Sequence, residues 1–167
     1  IPLESVMAKS WNKKIFKNID EKVNQASKDL AEERGACPDA AEYGYKERFS
    51  NKTAIAPTAS ISIICGGASP GVEPIAANSY THKTLSGSFN VRNRYLEEIL
   101  QSHGKNDDET WSTITTNQGS VSHLDFLTDL EKDVFKTAFE LNQNWIIELS
   151  GDRTPYISQA QSVNLFL

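Results

Sequence analysis

NKTAIAPTASISIICGGASPGVEP, residues 51–74, opens on a short apolar run, Thr53, Ala54, Ile55 and Ala56, fit for a buried strand. Pro57 follows, then Thr58-Ala59-Ser60-Ile61-Ser62, and Gly66-Gly67 ends the segment. The pattern predicts a strand, a sharp turn and a short helix whose first turn carries hydroxyls. Proline fixes φ and has no N–H to lose, so it starts such a turn at little cost. The first N–H groups of a helix lack carbonyl partners within it. Small residues let a ligand approach them, and an anion such as phosphate suits them. Thr58, Ser60 and Ser62 can add hydroxyl donors. The plain alternative is an ordinary capped helix with no ligand. No Gly-Lys-Ser/Thr follows, so this is not a Walker loop.

The surrounding chain sets limits on the partners of this turn. Its 167 residues suffice for one domain with a core, and 38% apolar with 23% charged residues reads as globular. No apolar run approaches the roughly 20 residues of a membrane span. A net charge of −5 supplies no basic stripe for a nucleic-acid backbone. Cys37 and Cys65 make no disulfide framework, and a reducing, cytoplasmic setting is the simpler reading. The first residues lack the order of a secretory signal, and the chain does not begin with Met, as expected of a fragment or a processed piece.

Periodicity places helices around the turn. Ile15, Ile19, Val23, Ala26 and Leu30 predict a helix over residues 15–34 with one buried face, closed by Gly35 and barred by Pro38. Residues 36–50 read as a loop. Ser69-Pro70-Gly71 reads as a turn, residues 78–90 carry no firm signal, and Phe89-Asn90-Val91 reads as extended. Asn93 caps a helix over residues 94–102 that buries Leu96, Ile99 and Leu100. Asp107 or Asp108 caps another through Ile114, ending near residues 117–119. Residues 130–141 read as one helix with Leu130, Val134, Ala138 and Leu141 inward. Residues 142–149 read as another, burying Trp145, Ile146 and Leu149 and stopped by Gly151. Residues 162–167 form a last apolar run. Many helices with a few short buried strands favour α/β, as in a piece of a larger barrel.

Other candidate chemistry is sparse. Glu73 reads either as a base or ribose contact or as a cap or surface charge. His82, His103 and His123 form no ligand pair, so no metal site is expected. Cys65, in an apolar run, reads as a small buried residue rather than a nucleophile.

The motifs, taken in order, resemble the large catalytic subunit of class I ribonucleotide reductase. That family's pattern has PTAS, a polar run, Glu-Pro, then LSG-x-F-x-V-x-N. Here these are residues 57–60, Glu73-Pro74 and residues 85–93. Gly35-Ala36-Cys37-Pro38, Asn117-Gln118-Gly119-Ser120-Val121 and residues 157–164, ISQAQSVN, are similar to further family segments.

The resemblance implies that residues 1–167 are a single partial domain, the C-terminal portion of a ten-stranded α/β barrel. It implies that Pro57, Thr58, Ala59, Ser60, Ile61 and Ser62 bind the diphosphate of the substrate nucleotide. Ile61 stands where some members have Thr, which loses a hydroxyl but keeps the N–H. Ser158 and Ala160 replace the family's Asp and Ser, which leaves no polar role implied there. The whole enzyme would reduce ribonucleoside diphosphates by cysteine radical chemistry, forming a disulfide as the 2′-hydroxyl leaves as water. The radical and redox cysteines are expected upstream, and the radical-transferring tyrosine pair and tail cysteines downstream. No catalytic residue, metal or cofactor is therefore expected on this fragment, and it would be inactive alone. The full enzyme would need a radical-generating metallo-subunit and a dithiol reductant. Expected partners are a ribonucleoside diphosphate, the rest of the large subunit and the small radical-generating subunit, with no membrane and no nucleic acid. A cobalamin-dependent relative has similar turns, so the class rests on the flanking motifs. The alternative is a non-catalytic phosphate- or nucleotide-binding or interaction module of the same fold.

Overall fold

The computed structural model describes residues 1–66, 69–85 and 87–167. The first helix, α1, runs Val6–Arg34, nine residues further toward the N-terminus than its periodicity indicates. Ser5 caps it by accepting from the Ala8 N–H at 3.1 Å, and Gly35 closes it at φ 82°. Its packed side is not the apolar row. Ile15 is 48% exposed and Ile19 39%, whereas Ser27 and Ala31 are buried. The contact with α7, Gln143–Arg153, is polar: Lys9 and Lys13 reach Glu148 and Asp152, and Asn12 Nδ2 donates to the Leu149 carbonyl.

Pro38 does not merely bar α1; it opens a second short helix, α2 (Pro38–Glu42), inside the expected loop. A proline at the first helical position loses no hydrogen bond, which explains the change of role. The expected strand at residues 53–56 contracts to one parallel bridge, Ile55 to Gln161. Ser158 flanks it, accepting from the N–H groups of Lys52 and Thr53 at 2.9 and 2.8 Å. A polar role therefore exists at residue 158, with the hydroxyl as acceptor. Helix α3 is Ala59–Ile64. Of the glycines expected to end it, Gly66 has φ 89°, and Gly67 lies outside the described residues.

The unassigned polar stretch folds as an antiparallel hairpin, β1 (Ser79–Thr84) with β2 (Gly87–Arg92), Tyr80 opposite Val91 and His82 opposite Phe89. Ser86 of the LSG motif lies outside the described residues. The hairpin is mostly exposed rather than buried, which removed the apolar alternation that would have announced it.

Asn93 then caps α4 (Arg94–Ser102), accepting from the Tyr95 N–H, and Asp107 caps α5 (Asp108–Thr116), accepting from the Thr110 N–H. Both helices follow the sequence closely. They build the core: Leu96, Leu100, Trp111 and Ile114 are buried with Val121, Leu124, Leu127 and Phe135, and Ile99 packs against them. Each such side chain contributes about 1.5–3 kcal/mol by leaving water.

The single helix expected over residues 130–141 is instead α6, Asp129–Val134, followed by irregular chain. Leu130 is 64% exposed, while Ala138 and Leu141 are buried. The cause is competition for backbone donors. The Ala138 N–H bonds the Ile75 carbonyl and the Thr137 N–H bonds Glu140, so neither continues the helix. Gly151 lies within α7 and does not end it. The chain leaves through a 3-10 turn, Thr154–Tyr156, containing Pro155, and Trp145 is half-buried. Among the described residues no helix is long and apolar enough to cross a membrane.

Candidate functional site

Thr58 sits immediately before α3, and the Ser62 N–H donates to its carbonyl at 2.8 Å, the first bond of the helix. The Thr58 N–H is already used: it donates to the Pro70 carbonyl at 2.7 Å, tying the turn to the loop that returns from the helix. The N–H groups of Ala59, Ser60 and Ile61 have no carbonyl to bond within the helix. No acidic side chain stands in this first turn to repel an anion. Ala59, Ser60 and Ile61 are exposed and Thr58 is half-buried, so the amide face is open. Pro57 is exposed on the approach side.

Ser62 differs from the other two hydroxyl residues. It is buried, and its Oγ donates to the Ala59 carbonyl at 2.9 Å, bracing the helix start rather than facing outward. Among the described residues the turn thus offers three amides without a carbonyl partner and two hydroxyls without a hydrogen bond, on Thr58 and Ser60.

A cavity of about 810 Å³ lies toward the other end of α3. Gly66, Glu73, Asn78, Tyr80, Arg94 and Asn164 are among the residues lining it, and none of residues 57–62 is. Arg94 is the cation that sequence reasoning missed. Its Nη1 approaches Gly66 so closely that a Cβ there would lie 3.3 Å away, and its Nη2 donates to the Tyr95 hydroxyl at 2.7 Å. That bond raises the Arg94 pKa above its ordinary value. A cation near the last turn of α3 also complements the helix dipole. Only its position next to the Asn93 cap was visible beforehand.

Glu73 is neither a cap nor a surface charge. It is buried, its Oε1 accepting from the Asn164 N–H at 2.8 Å and the Asn164 Nδ2 at 3.1 Å. Cys65 is exposed rather than buried, and Cys37, at the N-cap of α2, is half-buried; both are free thiols. Six-residue α3 leaves Cys65 just beyond its end. Among the described residues, no three His, Cys, Asp or Glu side chains converge as a metal centre would require.

Residues 39–167 match the family described as ribonucleotide reductase, barrel domain. This chain belongs to that family. It is 47% identical over its full length to the ribonucleoside-diphosphate reductase large subunit of Invertebrate iridescent virus 6, covering 18% of that protein. It is 32% identical over its full length to the ribonucleoside-diphosphate reductase large chain 2 of Saccharomyces cerevisiae, covering 23% of it. Among solved structures, the class Id ribonucleotide reductase alpha subunit of Actinobacillus ureae superposes with a TM-score of 0.90 at 40% identity, over all of this chain and 30% of that one. The chain therefore spans less than a third of the length of these relatives. The α/β barrel-fragment expectation agrees with both comparisons, the described sheet being a two-stranded hairpin that closes no barrel.

Proposed function

We propose that this chain forms part of a ribonucleoside-diphosphate reductase large subunit, an oxidoreductase that converts ribonucleoside diphosphates to deoxyribonucleoside diphosphates. Its share of the work is barrel packing and a substrate-diphosphate clamp at Pro57, Thr58, Ala59, Ser60, Ile61 and Ser62. The observation that carries the clamp is the solvent-exposed first turn of α3, which presents the amides of Ala59, Ser60 and Ile61 and the hydroxyls of Thr58 and Ser60 and contains no acidic residue. Pro57 sets the entry, the Thr58 N–H fixes the turn on Pro70, and Ser62 braces the helix start. Preorganised donors of this kind hold charged oxygens without rearranging. The chemistry itself would be done by residues elsewhere in the large subunit. The radical would come from a metal-bearing small subunit and the electrons from a dithiol reductant. The cytoplasm is the compartment in which such thiol chemistry is sustained. The alternative of a non-catalytic module has no observation in its favour.

The test is substitution in the full-length subunit. Thr58→Ala and Ser60→Ala each remove one hydrogen bond to a charged group, so each should raise KM for the nucleoside diphosphate about tenfold, with kcat within about twofold. Unchanged KM in the double variant would remove the clamp assignment.

A further inference from the structure

A second feature of the turn lies on its exit side. Glu73 is 8% exposed, deep for a loop carboxylate. A single residue, Asn164, supplies both hydrogen bonds to its Oε1. The buried Arg153 is near enough for the Glu73 charge to offset part of the pKa lowering that burial imposes on its guanidinium. The backbone is fixed as well, the Glu73 carbonyl accepting from Ser69 Oγ at 2.7 Å. Gly71 makes the room: a Cβ there would overlap the Glu73 carboxylate.

These bonds matter for what they join. Residues 158–164 are tied to the chain entering the turn, through Ser158 to Thr53 and through the Ile55–Gln161 bridge. Glu73 ties the same segment to the chain leaving the turn. Pro70, between α3 and Glu73, accepts the Thr58 N–H. One segment therefore holds the turn from both sides, and the exit-side fastener is a buried charge. A buried carboxylate that loses its donors is costly, so the loop must rearrange if the pair is broken.

We propose that Glu73, held by Asn164, is a positioning residue that fixes the 57–62 turn and so the amides of Ala59, Ser60 and Ile61. The consequence for substrate rests on the phosphate reading above; the positional claim does not.

The experiment uses the full-length subunit carrying Glu73→Ala, Glu73→Gln or Gly71→Ala. It reads exchange of the Thr58 and Ser62 amides, which are bonded to the Pro70 and Thr58 carbonyls, exchange in α4 and α5, and the KM and kcat for a nucleoside diphosphate. Glu73→Ala and Gly71→Ala should speed exchange at Thr58 and Ser62 about tenfold, leave α4 and α5 unchanged, and raise KM about tenfold with kcat within about twofold. Glu73→Gln keeps an Oε1 acceptor for Asn164 and should fall between. Gly71→Ala deletes no atom of the pair, so it carries the test if Glu73→Ala fails to fold. Wild-type exchange at Thr58 and Ser62 in both variants overturns the proposal, as does acceleration spread equally to α4 and α5. Faster exchange at the turn with unchanged KM sustains the positional claim and removes the phosphate reading instead.

Discussion

Asn78 is 1% exposed and saturated with partners. Its Nδ2 donates to the carbonyls of Gly119 and Phe135 at 3.0 and 2.7 Å, and its Oδ1 accepts from Asn93 Nδ2 at 2.8 Å. Its backbone pairs with Gly119 and Asn93 as well. One side chain thus joins the loop lining the cavity, the cap of α4, the 117–119 turn and the end of α6. Asn78→Ala strands the Phe135 carbonyl in the interior, at about 1–3 kcal/mol, and removes the acceptor of the half-buried Asn93 Nδ2. Urea unfolding of the variant should show a loss of about 2–4 kcal/mol. A loss under about 0.5 kcal/mol would mean that the network is dispensable. In the sequence Asn78 merely began a polar stretch without a signal. Its partners are 41 and 57 residues away, and no local pattern announces bonds at that distance. Asn93 and Asp107 were legible because a cap bonds an N–H two or three positions on. Glu73 was visible as a residue but not as a buried one, because its donor lies 91 residues later.

The same distinction between local and distant bonds sorts the elements. α4 and α5 were legible from capping and periodicity, which act within a turn or two. The 130–141 helix was not, because Ala138 gives its N–H to Ile75, a partner outside the element. What does hold α6 is its start. Thr128 and Glu131 form a reciprocal capping box, and the Glu131 carboxylate also meets His103 Nε2 at 3.1 Å, at the C-terminal end of α4. The His103 hydrogen bond, with the N–H and hydroxyl of Thr128, lowers the Glu131 pKa from 4.5 to about 2. A carboxyl whose folded pKa is depressed stabilises the fold above its unfolded pKa. That contribution is lost as pH falls through the folded value. The window is therefore pH 4.5 down to about 2. Thermal melts across it should show the wild-type protein losing its advantage over Glu131→Gln as the medium is acidified. His103→Ala should narrow the same window. Parallel acid limbs for wild type and Glu131→Gln would mean that the carboxylate does not link the two helices in this way.

On the scale of the whole molecule, the apolar row of α1 has no cover among the described residues. Val6, Met7, Trp11, Ile15 and Ile19 run from 80% exposed at the first to 39% at the last. The charged contacts of Lys9 and Lys13 with α7 turn the row outward. The hairpin adds Tyr80 and Phe89, both about half exposed. Ile15 and Ile19 were legible as part of an apolar helix face, but as a buried one and without Val6, Met7 and Trp11, and the ordered motifs placed the chain in its family. Which neighbour the face meets was not legible, because the relatives are more than three times as long and a helix pattern names no partner. Apolar surface of this kind drives association when nothing else covers it. The purified 167-residue chain should therefore self-associate with rising concentration in sedimentation velocity, and Trp11→Gln with Ile15→Gln should shift it toward monomer. Assayed with a nucleoside diphosphate and a dithiol, the same chain should show no turnover. A monomer at every concentration would mean that the row tolerates water as it stands. Turnover would place catalytic groups within these residues and undo the division of labour proposed above.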